Sequence, residues 1–470
     1  MGQLHDLSAL EQADAIGRGE VSPVELADHY LRRIDALSDS VGAFVTVTSE
    51  AATDLALDLA TVPPEQRPIL HGVPIAIKDL NLTTGVRTTL GSATYADFVP
   101  PIDDHVVTLL RAAGTVSLGK TNTPEFGLPC YTEPDVAPPA RTPWDLDRSA
   151  GGSSGGAAAA VAAGLVPWAQ GSDGGGSIRI PASVCGVFGL KPSRGRVSAG
   201  PVAGDVTGLA ITGPITRTVA DAAALLDALA IPIPGDPHWA PPLPAGQTFL
   251  AAASRPPGRL RIGRYIDPPV PDAEVHPDCR AAWDLASELL DSLGHDVEDV
   301  PMPFPPGLIP MFEVVWSVSS TGVPVDPDRE GELRPLTRWL RERGRQQSAP
   351  AFLAALSGLQ YAARAAIRAT APYDAVLTPT LAQPPALVGG LRNDADPAAD
   401  FEAQKRFTPF TAVYNMTGQP AVSLPLFWNA AGLPIGVMLV GRQAAEATLL
   451  SLSAQLEVAR PWRDRHPDMW

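Results

Sequence analysis

The spacing of apolar positions changes character along the chain, from helical near the N-terminus to short strand-like runs and back. Ser22-Pro23-Val24-Glu25 offers an N-cap, a proline at the first helical position and an acidic first turn ahead of LADHYLRRIDAL, the start signals of a helix. Residues 1–60 are expected to form a peripheral helical layer. From Gly72 the run VPIAIKDL, bounded by glycine and proline, reads as a buried strand with Lys78 near its end. VVTLLRAAGTVSLGKTN then predicts a helix, a glycine stop at Gly114 and a second short strand. Helix and strand therefore alternate as they do in layered α/β proteins.

Arg141 to Gly156 is irregular and rich in glycine and serine, and the following AAAAVAAGLV predicts a helix of small residues able to lie close to a sheet. A second glycine cluster, GSDGGGSIRIPAS, comes next. Thr218-Val219-Ala220-Asp221 has the form of a capping box before AAALLDALA. Residues 232–258 are proline-rich and read as a long connection. Beyond them LRIGRYI, CRAAWDLASELLDSLG and HDVEDV predict strand, helix and strand, and residues 311–370 predict mostly helix. Trp316, Trp339, Phe352 and Tyr361 within that stretch are assigned to core packing, with a substrate wall as the second reading. AVLTPT, AVSLPLFW and LPIGVMLVG read as strands before a closing helix, ATLLSLSAQLEVA. No internal repeat is present. The expected organisation is one domain of 470 residues. It comprises the helical layer 1–60, a core over 70–230, the proline-rich connection 232–258 and a C-terminal α/β part over 259–470.

Composition narrows the function. With 45% hydrophobic and 18% charged residues, the chain lacks the recipe for disorder. A formal charge of −16 argues against nucleic acid as a partner, since phosphate-binding surfaces are dominated by Lys and Arg. No run approaches the ~18 apolar residues of a membrane span, and the first residues lack the basic and apolar regions of a signal peptide. Asp6 also breaks the myristoylation pattern. A cytoplasmic protein with no membrane association is expected. Cys130, Cys185 and Cys279 show no paired spacing, so neither a disulfide framework nor a thiolate metal site is indicated. Lysine occurs only at 78, 120, 191 and 405. Arginine stays charged whereas lysine can lose its proton, which draws attention to Lys78.

The densest chemical signal is the pair of clusters Gly151–Gly156 and Gly171–Arg179, which place Ser153 and Ser177 24 residues apart in backbone-permissive turns. Glycines allow close approach of a substrate carbonyl, and successive backbone N–H groups can form an anion-binding nest, the geometry an oxyanion hole needs. Gly151-Gly152-Ser153-Ser154-Gly155 also satisfies the nucleophile-elbow string G-x-S-x-G. An elbow follows a buried strand, yet Thr142 to Ala150 reads TPWDLDRSA. His238, His276, His295 and His466 lie in polar or proline-rich surroundings that favour solvent-facing or capping roles. A lysine whose pKa is lowered by burial can replace histidine as base, and Lys78 is the candidate; its plainer reading is a strand-end lysine paired with Asp79.

Gly151 to Ala182, GGSSGGAAAAVAAGLVPWAQGSDGGGSIRIPA, resembles the full signature of the amidase signature family of serine hydrolases. HGVPIAIKD (71–79), GKTNTPEFG (119–127), FGLKPSRGRVS (188–198) and NMTGQPAVSLP agree with it, so the resemblance spans nearly the whole chain. Asp173 followed by three glycines is similar to bacterial amidases near the cyclic nylon-oligomer hydrolases and the urethane-cleaving members. YTEPDVAPPART and Ala150 depart from common family patterns without touching the triad.

The resemblance implies an α/β fold with a large twisted mixed sheet covered on both faces by helices. It also implies a triad of Ser177 as nucleophile, Ser153 as bridging serine at a cis peptide, and Lys78 as base. The backbone N–H groups of Gly174, Gly175, Gly176 and Ser177 become the oxyanion hole, and Asp173 and Arg179 supports. No metal or organic cofactor is implied. The tRNA-dependent amidotransferase relatives are set aside for want of a basic face, leaving a free-standing hydrolase, monomer or homodimer, of a neutral small-molecule amide or carbamate. Phe126, Gly127 and Arg196 are candidate pocket residues, with residues 196–208 as a movable rim. Two alternatives stay open: an α/β-hydrolase-type esterase using Ser153 with a histidine base, and a non-catalytic binding relative.

Overall fold

Ser22 begins the helix Pro23–Val41 as the sequence predicts: its hydroxyl accepts the N–H of Glu25, whose carboxylate accepts the N–H of Ser22 in return. The helix ends at Gly42, which adopts the left-handed conformation of a glycine stop. The computed structural model describes residues 3–202 and 206–470. Two further helices, Ala9–Gly17 and Ser49–Ala60, complete the N-terminal layer. A strand interrupts it, β1 (Phe44–Val47). FVTV is too short to declare itself by alternation, and it is the sheet edge that holds it.

Among the described residues eleven strands form one mixed sheet. After β1 come β2 (Pro74–Lys78), β3 (Val116–Thr121), β4 (Trp168–Asp173), β5 (Phe188–Lys191) and β6 (Ile211–Thr216). These are followed by β7 (Arg261–Arg264), β8 (Asp296–Asp299), β9 (Ala375–Pro379), β10 (Ala421–Trp428) and β11 (Pro434–Gly441). The spatial order is β1-β3-β2-β4-β6-β5-β10-β11-β9-β7-β8. β3, β2 and β4 run parallel, as do β9, β7 and β8, while the pairs between them are antiparallel. Strands from both sides of the proline-rich stretch 232–258 thus share one sheet. Helices flank it, in accord with the α/β expectation.

The small-residue helix, Gly155–Ala162, is buried along its whole length. Gly156 explains the choice of residue: a Cβ there would lie 2.4 Å from both Ala43 O and Asn122 N, so only glycine lets this helix reach the chain around β1 and β3. The capping box at Thr218 is only half made. Thr218 accepts the N–H of Asp221, but the Asp221 carboxylate accepts the N–H groups of Ala9 and Leu10 instead. The buried start of helix Ala9–Gly17 needs acceptors for its free donors, and that need wins. Of the four aromatics assigned to the core, Tyr361 is exposed, and Trp316 lies at the cleft described next.

Candidate active site

β2 and β4 lie side by side in parallel register, Ala76 opposite Ala169 and Ile77 opposite Gln170. Their C-terminal ends, Lys78 on one and Ser172-Asp173 on the other, therefore meet. Functional groups gather at such strand ends in α/β sheets because the following turns leave the sheet there. Lys78 is fully buried. Its Nζ lies 2.7 Å from Ser153 Oγ, 3.1 Å from Ser172 Oγ and 3.3 Å from Ser172 O. Burial drives its pKa down to about 7, against the opposing pull of Asp173. Asp79, the alternative partner, accepts from Thr89 and lies 3.9 Å from Lys120, so Lys78 is not engaged in a strand-end ion pair.

Ser153 is carried by the irregular segment before helix Gly155–Ala162, and the Gly152–Ser153 peptide is cis. Ser154 fastens this segment to the second cluster: its N–H donates to Ser177 O (3.1 Å) and its hydroxyl to Ser172 O (3.1 Å). The strand-turn-helix unit sought in the elbow reading falls instead around Ser177, between β4 and helix Arg179–Cys185. His276 caps helix Pro277–Ser292 as expected. His295, expected at the surface or in a cap, is buried, accepting the N–H of Leu260 and bonding Gln455. The hydrogen bonds of both histidines lie away from Ser153.

The turn Gly174–Ser177 is shaped by Asp173. Its Oδ1 accepts the N–H of Gly176 at 2.7 Å and its Oδ2 that of Ile178 at 3.1 Å. Arg179 pairs with both oxygens, at 2.9 and 3.0 Å. Burial pushes the Asp173 carboxyl up, but the Arg179 charge and hydrogen bonds outweigh it and hold the group well below the usual carboxylate range. Gly176, expected among the oxyanion donors, thus has its N–H turned to Asp173. Among the described residues no hydrogen bond engages the N–H groups of Gly174, Gly175 and Ser177. Gly176 must be glycine here: its φ is +135° and a Cβ would fall 2.3 Å from Thr411 Oγ1.

Ser177 opens onto a cleft of about 640 Å³, counted out to its mouth, with walls of Leu128, Ile180, Ile309, Phe312, Trp316 and Val413. Trp316 stacks on Phe312 and sits over Gly174, so this tryptophan lines the cleft as well as packing on the core. Lys405 is the charged side chain on the lining, and it pairs with Glu313 and Glu402. Gly127 borders Ser153, since a Cβ there would lie 3.2 Å from Ser153 Oγ. Two expected pocket residues are elsewhere. Phe126 packs edge-on against Tyr95, while its neighbour Leu128 lines the cleft. Arg196 is buried in an ion pair with Glu446 at 3.0 Å; a charge held that way belongs to the framework and not to a moving rim. Residues 203–205 of the expected rim lie outside the described residues.

The amidase family model matches residues 25–450. The chain belongs to the amidase signature family. A 6-aminohexanoate-cyclic-dimer hydrolase of Paenarthrobacter ureafaciens is 37% identical over 488 residues, covering 98% of this chain and 96% of its own. An acylamidase of Rhodococcus erythropolis is 34% identical, covering 99% and 98%. The solved structure of 6-aminohexanoate cyclic dimer hydrolase superposes with a TM-score of 0.92 at 35% identity over 100% of both chains. This amidase is thus a family hydrolase acting on amides. Among the described residues no group of three or more His, Cys, Asp or Glu is placed to hold a metal ion, and no helix is long and apolar enough to cross a membrane.

Sequence reasoning missed two groups of this amidase site. Asn415 donates to Asp173 O at 2.7 Å and Oδ1 at 2.9 Å and accepts from Arg179 at 2.6 Å. Thr411 holds Gly175 O at 2.6 Å through its hydroxyl and Arg179 through its carbonyl. Both come from the C-terminal part, more than 200 positions from the turn they hold. The motif NMTGQPAVSLP contained Asn415 but gave no sign of its partner.

Proposed function

We propose that the enzyme hydrolyses neutral amides, and carbamates that present the same carbonyl, through Ser177, Ser153 and Lys78. The observation that carries this reading is the fully buried Lys78 Nζ 2.7 Å from Ser153 Oγ, with its pKa near neutrality. A neutral amine has two N–H bonds and one lone pair. The two Ser172 acceptors take the former, which leaves the lone pair for the Ser153 hydroxyl. Ser177 Oγ attacks the carbonyl as its proton passes to Ser153 Oγ and the Ser153 proton to Lys78. The N–H groups of Gly174, Gly175 and Ser177 receive the oxyanion. The relay then returns a proton to the leaving nitrogen, the C–N bond breaks, and water cleaves the acyl-enzyme by the same route to give the acid.

The apolar walls and the internally neutralised Lys405 support a neutral substrate, because desolvating an unpaired charge is costly. The relatives named for a cyclic 6-aminohexanoate dimer and for acyl amides support an amide. The test is nitroaniline release from an N-acyl nitroanilide and from the matched N-nitrophenyl carbamate, with Ser177→Ala as the blank. Ser177-dependent release from the anilide is expected; comparable release from the carbamate extends the reading to urethanes, and anilide turnover alone restricts it to amides. Turnover surviving in Ser177→Ala would overturn it.

A further inference from the structure

The cleft wall carries a pair of hydroxyls whose proton positions are fixed by elimination. Thr411 Oγ1 lies 2.6 Å from Gly175 O. A carbonyl can only accept, so the single hydroxyl proton of Thr411 is spent there. Thr408 Oγ1 lies 2.6 Å from Thr411 Oγ1, and Thr408 must therefore be the donor of that bond. The Thr408 oxygen is left with lone pairs alone, and Thr408 lines the same cleft as Ser177 and Gly175.

Two other polar side chains of the lining already have partners of their own. Gln404 accepts from Cys130 N at 2.9 Å and donates to Asp400 at 2.6 Å, and Lys405 is held by Glu313 and Glu402. Thr408 is thus an obligate acceptor in an apolar wall. A substrate that excludes water from it without supplying a donor leaves that acceptor unpaired, the situation in which sites discriminate most strongly.

We infer that Thr408 is a specificity-determining residue that accepts a substrate N–H, so that the preferred substrates carry an amide N–H within the cleft and isosteric CH₂ or ester analogues are discriminated against. This rests on the amide hydrolysis proposed above. The geometry also ties recognition to the turn, because Thr408 holds Thr411 and Thr411 holds the Gly175 carbonyl.

The test uses N-acetylglycyl nitroanilide and two analogues, levulinoyl nitroanilide, in which CH₂ replaces the acyl-arm N–H, and N-acetylglycyl nitrophenyl ester, in which oxygen replaces the scissile N–H. Values of kcat/KM are compared for the parent enzyme, Thr408→Val and Thr408→Ser. The expected result is that Thr408→Val lowers the ratio of nitroanilide to one analogue by about tenfold, the worth of one neutral hydrogen bond, while Thr408→Ser preserves the ratio. Thr408→Ala gives the same readout if the valine methyl disturbs the wall. Equal losses on all three compounds, with release still dependent on Ser177, would leave the proposed chemistry standing and overturn the role of Thr408 in favour of simple support for Thr411. Absence of Ser177-dependent release from all three by the parent enzyme would overturn both.

Discussion

The Asp173 carboxylate and the Gly176 N–H lie 2.7 Å apart, so the acid four positions before Ser177 is occupied in bending the chain. Its other contacts, two from Arg179, one from Asn415 and one from the N–H of Ile178, are equally inward. Asp173→Asn keeps the shape but turns a donor toward donors and leaves Arg179 buried without its counter-charge. Removing one partner of a buried pair costs about 3–5 kcal/mol. Urea unfolding is expected to show a loss of that order, together with collapse of turnover as the turn loses its clamp. Unchanged stability would mean that the Asp173–Arg179 pair is not what holds the turn.

The acylation rate should follow the deprotonation of Lys78. The proposed relay needs its neutral amine, and burial lowers its pKa to about 7. The expected profile of kcat/KM rises about tenfold per pH unit below that value and levels above it. A flat profile between about pH 5.5 and 8.5, with Ser177-dependent turnover, would remove Lys78 from the role of base.

The same shift has a consequence for stability. An unfolded lysine keeps its proton up to about pH 10.4, whereas folded Lys78 gives it up near 7. Between those values the unfolded chain binds more protons, so raising the pH favours the fold by ~1.4 kcal/mol per unit through this residue. Below the folded pKa the full burial penalty remains. Lys78→Met removes the titration without removing the packing. The stability of the parent enzyme relative to this variant, measured by denaturant unfolding at two pH values within that window, is expected to increase at the higher one. A constant difference would show that Lys78 is protonated throughout.

Much of this arrangement was legible in the sequence because its parts are local. Ser22-Pro23-Val24-Glu25 starts a helix by contacts within four residues, and VPIAIKDL forms a strand because its neighbours bury both faces. The fold class and the family followed from long contiguous motifs. What could not be read were long-range choices. Asp221 has a local role available at Thr218 and takes a distant one at Ala9 and Leu10. Gly176 sits in a run of three glycines that look alike in sequence, yet one N–H is directed to Asp173 while no hydrogen bond engages those of Gly174 and Gly175 among the described residues. Arg196 had the setting of a loop residue, and its partner Glu446 lies 250 positions away.

Covalent labelling separates the two serines. Ser177 lines the cleft, whereas Ser153 is buried against Lys78. A sulfonyl fluoride is expected to modify Ser177, to be mapped by peptide mass, and to leave Ser177→Ala unlabelled while that variant keeps the parent's unfolding midpoint. An adduct on Ser153 would revive the elbow reading.

Arg196 distinguishes framework from rim by direction of effect. Its guanidinium meets both oxygens of Glu446, at 3.0 and 3.1 Å, and stands over the Phe249 ring. Burial pushes the Glu446 carboxyl up, but the arginine outweighs it and holds the acid below its ordinary pKa. Arg196→Met fills similar space and abandons a buried carboxylate, so the loss falls on stability, by about 3–5 kcal/mol. KM for an anilide should change little in the fraction that remains folded, because the residue is not on the cleft lining. Arg196→Met with Glu446→Gln should recover part of the loss, since the orphaned charge is then gone and the glutamine can still accept the Ser193 N–H that Glu446 now takes at 2.9 Å. A raised KM with unaltered stability would return Arg196 to the pocket and overturn its placement in the framework.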